Sequence, residues 1–443
     1  MSAQGPFVTR QDVRTASGRV VLPVYSPEDV AAIDAVADVG RSGQFPFTRG
    51  VQGSAPGVGG AWHMEAAAVG ASRVDVNARC RQLIAGGATE LLVAVQAGLA
   101  KAVPVVRPDV VEIDSLDDML ELVDGIDLGA VSLSLDASGA APVVLALFLA
   151  AAQRRGVPWA NVKSRVGHDL LADGISPFAA CTSAKSAWLS GELLGFCAAS
   201  APRVMPVSVG AYRLCEGGVT PVHELSAAIS RAVECLDILV ASGHDAASLA
   251  PRLSFVFGAQ GDLFEVVAKC RAARQVWASI LRNRLGVVDD AACAMHLAVR
   301  LPALVSVPMD PGADAVRATL QVLAAALGGA ATVSTPPAPE GASANGPLRT
   351  QQVVAWESGL AGALDPLGGS YYLERLTSDI AAQVMTSLAE ILSESRPSTT
   401  VEVGQLVATL VARAHGGATV AEMCGELTGL DPLAQPGGRH TGT

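Results

Sequence analysis

Apolar residues fall in two rhythms along this chain. Short runs rich in Val, Leu and Ile recur at 90–95 (ELLVAV), 109–114 (DVVEID), 130–135 (AVSLSL), 161–166 (NVKSRV), 204–209 (VMPVSV), 252–258 (RLSFVFG), 294–299 (AMHLAV) and 331–335 (ATVST). Several are apolar on consecutive positions, as a strand covered on both faces requires. Ala-rich stretches of helical period separate them, and strand alternating with helix predicts a parallel sheet. Eight such strands, each followed by a helical or turn segment, predict an α/β fold, the closed (β/α)8 TIM barrel.

Two helices stand out. Residues 142–156 (PVVLALFLAAAQRRG) are apolar almost throughout and stop on a basic turn and a Gly. Residues 263–284 place Leu263, Val266, Val267, Cys270, Ala273, Val276, Trp277 and Ile280 on one stripe. Glu265, Lys269, Arg271 and Arg274 fall outside it, the division expected of an amphipathic surface helix. The organisation that follows is a Gly/Pro-rich N-terminal arm (1–75) wrapping the barrel or a neighbour, the barrel itself (76–375), a C-terminal helical segment (376–430) and a disordered tail (431–443).

Composition narrows the partners. The 443 residues are 50% hydrophobic and 16% charged, which supports a large core and argues against disorder. The net charge is −11 with basic residues scattered, so a nucleic-acid surface is not expected. Eight cysteines (80, 181, 197, 215, 235, 270, 293, 424) show no CxxC spacing and read as buried thiols in a reducing compartment rather than a disulfide frame or zinc site. No secretory signal pattern opens the chain, and its longest apolar run, 142–152, is too short to span a bilayer. A cytoplasmic protein with no membrane partner is expected.

Candidate chemistry sits where strands end. VSVGAYRLCEGG (207–218) reads as a buried strand delivering Tyr212 and Arg213 to a loop, which is how barrel enzymes present catalytic groups. His168 and Asp169 follow another strand, and Arg300 closes HLAVR. Adjacent residues on an extended segment point opposite ways, so His168–Asp169 reads first as a polar turn. The Gly clusters at 57–60, 86–88, 328–330 and 368–370 make neither a dinucleotide fingerprint nor a phosphate loop. Without HExxH, GxSxG or DxHxxG, neither a metal site nor a cobalamin ligand is expected within the chain.

Longer segments carry a resemblance. RVVLPVYSPEDV (19–30), FPFTRG (45–50), residues 113–157, APRLSFVFGAQGDLFEVVAKCRAARQVWASI (250–280) and DPLGGSYYLERLT (365–377) together resemble the substrate-binding barrel of the methylmalonyl-CoA mutase family over most of residues 18–380. The resemblance implies a barrel that binds an acyl-CoA and is capped by adenosylcobalamin from a separate domain or subunit, the cofactor supplying the radical chemistry. It also shows departures. Arg213 stands where catalytic members carry a general-acid His in a GYH turn, and a guanidinium does not release a proton near pH 7. VQGSAPGVGGAW (51–62) replaces a Tyr/Arg-rich segment, VGHD (166–169) replaces QND, and Ser176 or Pro177 replaces an Arg. AVRLPA (298–303) replaces HCQTSG and VSTPP (333–337) replaces LHTN.

Losing these groups together is similar to the non-catalytic small (beta) subunit of heterodimeric mutases, to which GAW (60–62) and residues 77–93 also look close. That subunit's C-terminal cobalamin-type domain is not expected after 412–429. The resemblance therefore implies a silent barrel that binds no cofactor alone, pairs with a homologous mutase subunit or with itself, and meets adenosylcobalamin through a partner chain. The alternative is a repurposed enzyme on the same barrel, acting without cobalamin on an acyl or carboxylate substrate through Arg213, Tyr212, His168, Asp169 and Arg300, with Ser134, Asp136, Arg252 and Ser254 as binding residues. A third reading, retained mutase chemistry, requires a tunnel along the barrel axis for the CoA tail. An apolar plug at the mouth suits the first reading, and converging arginines suit the second.

Overall fold

The computed structural model describes residues 13–15, 17–53, 62–97, 110–137, 140–171, 183–302, 311–338, 343–394 and 404–429. Its strands are β1 (His63–Ala67), β2 (Glu90–Ala97), β3 (Val110–Ile113), β4 (Ser132–Asp136), β5 (Ser164–Asp169), β6 (Val204–Val209), β7 (Leu253–Gly258), β8 (His296–Arg300) and β9 (Thr332–Thr335). They pair in the order β1-β9-β8-β7-β6-β5-β4-β2-β3, all in parallel. Pairing of β1 with β2 closes a ring of eight strands, the expected α/β barrel.

The ring differs from the sequence expectation at two strands. The run at 109–114 forms β3, which pairs only with Ala94–Ala97 at the far end of β2 and is not a stave. The missing stave is β1, HMEAA, which lies inside the segment read as the arm, so the barrel begins before residue 76. A carboxylate at its centre breaks the apolar run that marks the other strands. Glu65 points inward and is wholly buried, so its partner inside the barrel, not its neighbours in sequence, makes this segment a strand.

The helices are α1 (Arg73–Ala85), α2 (Leu116–Leu122), α3 (Ala141–Arg154), α4 (Ser183–Ser200), α5 (Tyr212–Glu216), α6 (Pro221–Ala241), α7 (Ala246–Leu249), α8 (Leu263–Asn283), α9 (Pro311–Leu327), α10 (Gly346–Glu357), α11 (Tyr371–Glu394), α12 (Leu406–His415) and α13 (Val420–Gly429). Ser72, Ser115, Thr220 and Asp262 cap α1, α2, α6 and α8 by accepting backbone N–H groups of the first turn. Such caps stabilise a helix start by about 1 kcal/mol each.

Two helices are covered on both sides. In α3 every residue from Ala141 to Ala152 is buried, because α12 and α13 pack against its outer face. An apolar helix without a polar face needs that third layer. Against expectation, the charges of α8 do not face solvent either: Glu265, Lys269, Arg271 and Arg274 are 1–2% exposed. α11 lies across α6 and α8, and the arm supplies the rest of the cover.

Each buried charge has a partner there. Lys269 Nζ donates to Glu224 Oε2 at 2.6 Å and to the Gly258 carbonyl at 2.7 Å. Arg271 reaches Asp365 Oδ1 at 2.5 Å and both oxygens of Glu374 at 2.7 and 2.8 Å. Arg274 donates to the carbonyls of Phe47, Thr48 and Gly329, and Glu265 accepts from Ser17. Arg49 of FPFTRG completes the knot by donating to Asp365 Oδ2 at 2.7 Å.

Seven cysteines (80, 197, 215, 235, 270, 293, 424) are free and buried, while Cys181 lies outside the described residues. Among the described residues no helix is long and apolar enough to cross a membrane.

Removing Arg271 leaves the buried Glu374 without its cation and Asp365 with Arg49 alone, a loss of about 3–5 kcal/mol. Urea denaturation should therefore show Arg271→Ala strongly destabilised. Arg284→Ala, which breaks a surface pair with Asp237, should cost less than about 1 kcal/mol.

Candidate functional site at the barrel axis and mouth

Parallel strands bring all their C-terminal ends to one mouth. Asp136, Asp169 and Arg300 are the last residues of β4, β5 and β8 and so meet there. Tyr212 and Arg213 arrive differently from the sequence expectation. β6 stops at Val209, the chain turns through Gly210 and Ala211, and both side chains stand on the first turn of the five-residue helix α5. That turn needs glycine: a Cβ on Gly210 would lie 2.2 Å from Asp169 Oδ2. Asp169 Oδ1 accepts the amides of Gly210 at 2.8 Å and Leu171 at 3.0 Å. Burial pushes its carboxyl up, while the Gly210 amide and Arg213 oppose that.

Two of these side chains, Arg213 and Arg300, converge on Asp136, and both contact Tyr212. Asp136 Oδ2 lies 3.7 Å from both Arg213 Nη2 and Arg300 Nη1. Arg213 Nε donates to Tyr212 Oη at 3.0 Å, and the Arg300 guanidinium sits 4.2 Å from the centre of the Tyr212 ring, within cation–π range. Beneath them is a cavity of about 30 Å³ that Ser134, Arg165 and Ser208 also line, with room for one or two water molecules.

Below the mouth, polar groups cross the barrel axis. Alternation along the staves turns Glu65, Glu90, Ser134, Arg165, Ser254 and Thr332 inward. Arg165 Nη2 donates to Glu65 Oε2 and, at 3.1 Å, to Ser134 Oγ, with Glu90 Oε1 at 3.5 Å. Glu90 accepts from Ser134 at 2.7 Å, Thr332 at 3.1 Å and Ser132 at 3.3 Å. These inward groups are 0–7% exposed, so water does not run along this layer of the axis. Burial holds Glu90 above the usual carboxylate range and, with Arg300 nearby, pushes Arg165 down to about 9.

The remaining candidates are spread out. Ser134 belongs to this axial layer, and Ser254 shares a 3.2 Å hydrogen bond with His296 Nδ1. Arg252 precedes β7, at the opposite end of the barrel, and donates to the Ser248 carbonyl at 2.7 Å, so it does not join the mouth cluster. The His168 backbone pairs with Val207, but its side chain lies outside the described set, as do residues 54–61, Ser176 and Pro177. Sequence reasoning missed Glu65, Glu90, Arg165 and His296. Their signal was a charged or imidazole side chain within a strand, which only a partner inside the same barrel makes affordable. Among the described residues no group of three or more His, Cys, Asp or Glu could hold a metal ion.

The family model described as methylmalonyl-CoA mutase matches residues 14–427. The chain is similar to the 2-hydroxyisobutanoyl-CoA mutase large subunit of Aquincola tertiaricarbonis, 29% identical over 397 residues, covering 86% of this chain and 70% of that protein. It is similar to the methylmalonyl-CoA mutase of Escherichia coli strain K12, 28% identical over 406 residues, covering 88% and 56%. It is likewise 30% identical over 398 residues to the probable methylmalonyl-CoA mutase large subunit of Mycobacterium tuberculosis strain H37Rv, covering 85% and 52%. The chain thus spans about half the length of the last two relatives.

The axial network sets a pH dependence. Burial, with repulsion from Arg165 and His63, pushes His296 down to about 3. The unfolded chain then binds the extra proton between its ordinary pKa and about 3, so stability falls as pH drops through that window. The slope reaches up to about 1.4 kcal/mol per pH unit for one proton. Denaturation of His296→Gln at pH 7, 6, 5 and 4 should show a shallower loss than the parent protein.

Proposed function

Because the chain belongs to the methylmalonyl-CoA mutase family, we propose that it is a catalytically silent barrel of that family, a small-subunit-like structural partner of a cobalamin-dependent acyl-CoA mutase. The observation that carries this reading is the buried Glu65–Arg165–Glu90 bridge across the axis, where a CoA tail would have to thread. Arg213 supports it. Tyr212, Asp136 and Asp169 outweigh burial and hold its guanidinium above an already high pKa, so it gives up no proton near neutrality.

The described mouth does not fit a cobalamin lower ligand. Its polar residues are arginines, serines, a tyrosine and aspartates, while His63 and His296 begin their strands at the other end of the barrel. Any adenosylcobalamin acting in the assembly is carried by a homologous mutase subunit. The chain pairs with that subunit or, in an assembly without cobalamin, with a second copy of itself. A second reading, a repurposed site for an acyl or carboxylate substrate, is favoured by the approach of Arg213 and Arg300 to Asp136.

Size-exclusion chromatography with light scattering should show a stable complex with a catalytic mutase subunit from the same source, and mutase activity that depends on this chain. A self-contained oligomer that ignores that subunit would overturn the proposal. Arg213→His, assayed alone with adenosylcobalamin and an acyl-CoA, should restore no measurable rearrangement, since the axial bridge stays in place.

A further inference from the structure

The mouth holds more hydrogen-bond donors than the chain uses. The Arg300 guanidinium makes no hydrogen bond among the described residues. Its nearest acid stands 3.7 Å away, and its Nε is buried without a partner. Arg213 spends only Nε, on Tyr212. Arg165 adds a third donor from below: the residue is 7% exposed, lines the same cavity, and its Nη1 has no partner. Asp169 accepts two backbone amides and does not hydrogen-bond to these guanidinium groups, and Asp136 sits beyond hydrogen-bond distance of both mouth arginines. Arg300 Nε and Arg165 Nη1 are buried donors left unpaired, which is costly, and the partly exposed Arg213 adds free Nη donors beside the same cavity, so an acceptor placed there would complete the arrangement.

The acceptor's chemistry follows from the walls. The planar fork of an arginine matches a carboxylate in two parallel hydrogen bonds. A cavity of about 30 Å³ admits one such planar group and little more, and the Ser134 and Ser208 hydroxyls line it beside the arginines. We propose that the barrel mouth binds the carboxylate group of a small organic acid between Arg213 and Arg300, with Asp136 as the internal counter-ion that competes for the same two arginines. The site is one of binding and does not depend on mutase chemistry. Subunit pairing can fail while it stands, or the reverse.

Isothermal titration calorimetry of the full chain at low ionic strength tests it, with acetate and succinate as probes and inorganic phosphate as comparator. One of the two acids should bind saturably. Arg213→Gln and Arg300→Gln should each weaken it about tenfold or more, the scale of a lost charge-assisted hydrogen bond. Asp136→Asn removes the competitor and should tighten binding several-fold, a gain that a misfolded variant does not produce. No saturable heat from either acid, arginine variants that bind as well as the parent, or weaker binding by Asp136→Asn overturns the proposal. Binding of phosphate alone overturns the carboxylate assignment.

Discussion

Hiding charge from water is the constraint that organises this barrel. Three cations of α8, Lys269, Arg271 and Arg274, lie in the interior, and each loses several kcal/mol of hydration there. That cost is offset only if acceptors are held in place, and they come from distant segments: Glu224 on α6, the Phe47 and Thr48 carbonyls on the arm, Asp365 before α11 and Glu374 within it. Neither the arm nor α11 can lift away without stranding a buried charge. Three of the stretches that carry the resemblance to the mutase family, FPFTRG, AKCRAARQVWA and DPLGGSYYLE, meet in this knot. Their likeness therefore reports a shared scaffold and is silent on chemistry.

Within the barrel the same rule closes the axis. Glu65, Arg165 and Glu90 are tolerable in the interior because they face one another and a ring of small hydroxyls. The bridge occupies the line along which a long ligand would pass. Just above it Arg213 and Arg300 share Asp136 at 3.7 Å without hydrogen-bonding to it, while Asp169 is taken up by backbone amides.

Legibility followed the range of the physics. The apolar run of α3 announced a helix, but not why it lacks a polar face; that answer is α12 and α13, more than 250 residues downstream. The apolar run of β3 looked like a stave, yet its position at the far end of β2 leaves it outside the ring. HMEAA looked like arm because Glu65 interrupts it, and it is the strand that closes the ring. Tyr212 and Arg213 were found by their place after a strand, although a one-turn helix rather than an extended segment aims them.

The sequence by itself determined the alternation of strand and helix, the barrel class and the place of Tyr212 and Arg213 just after a strand. Period, caps and residue identity are properties of neighbouring positions, and they are written in order along the chain. Which charges are buried, which strands close the ring and which arginines share Asp136 were decided only by the tertiary structure. Desolvation and pairing depend on what stands a few ångströms away in space, and Arg274 meets Phe47 across 227 positions of sequence.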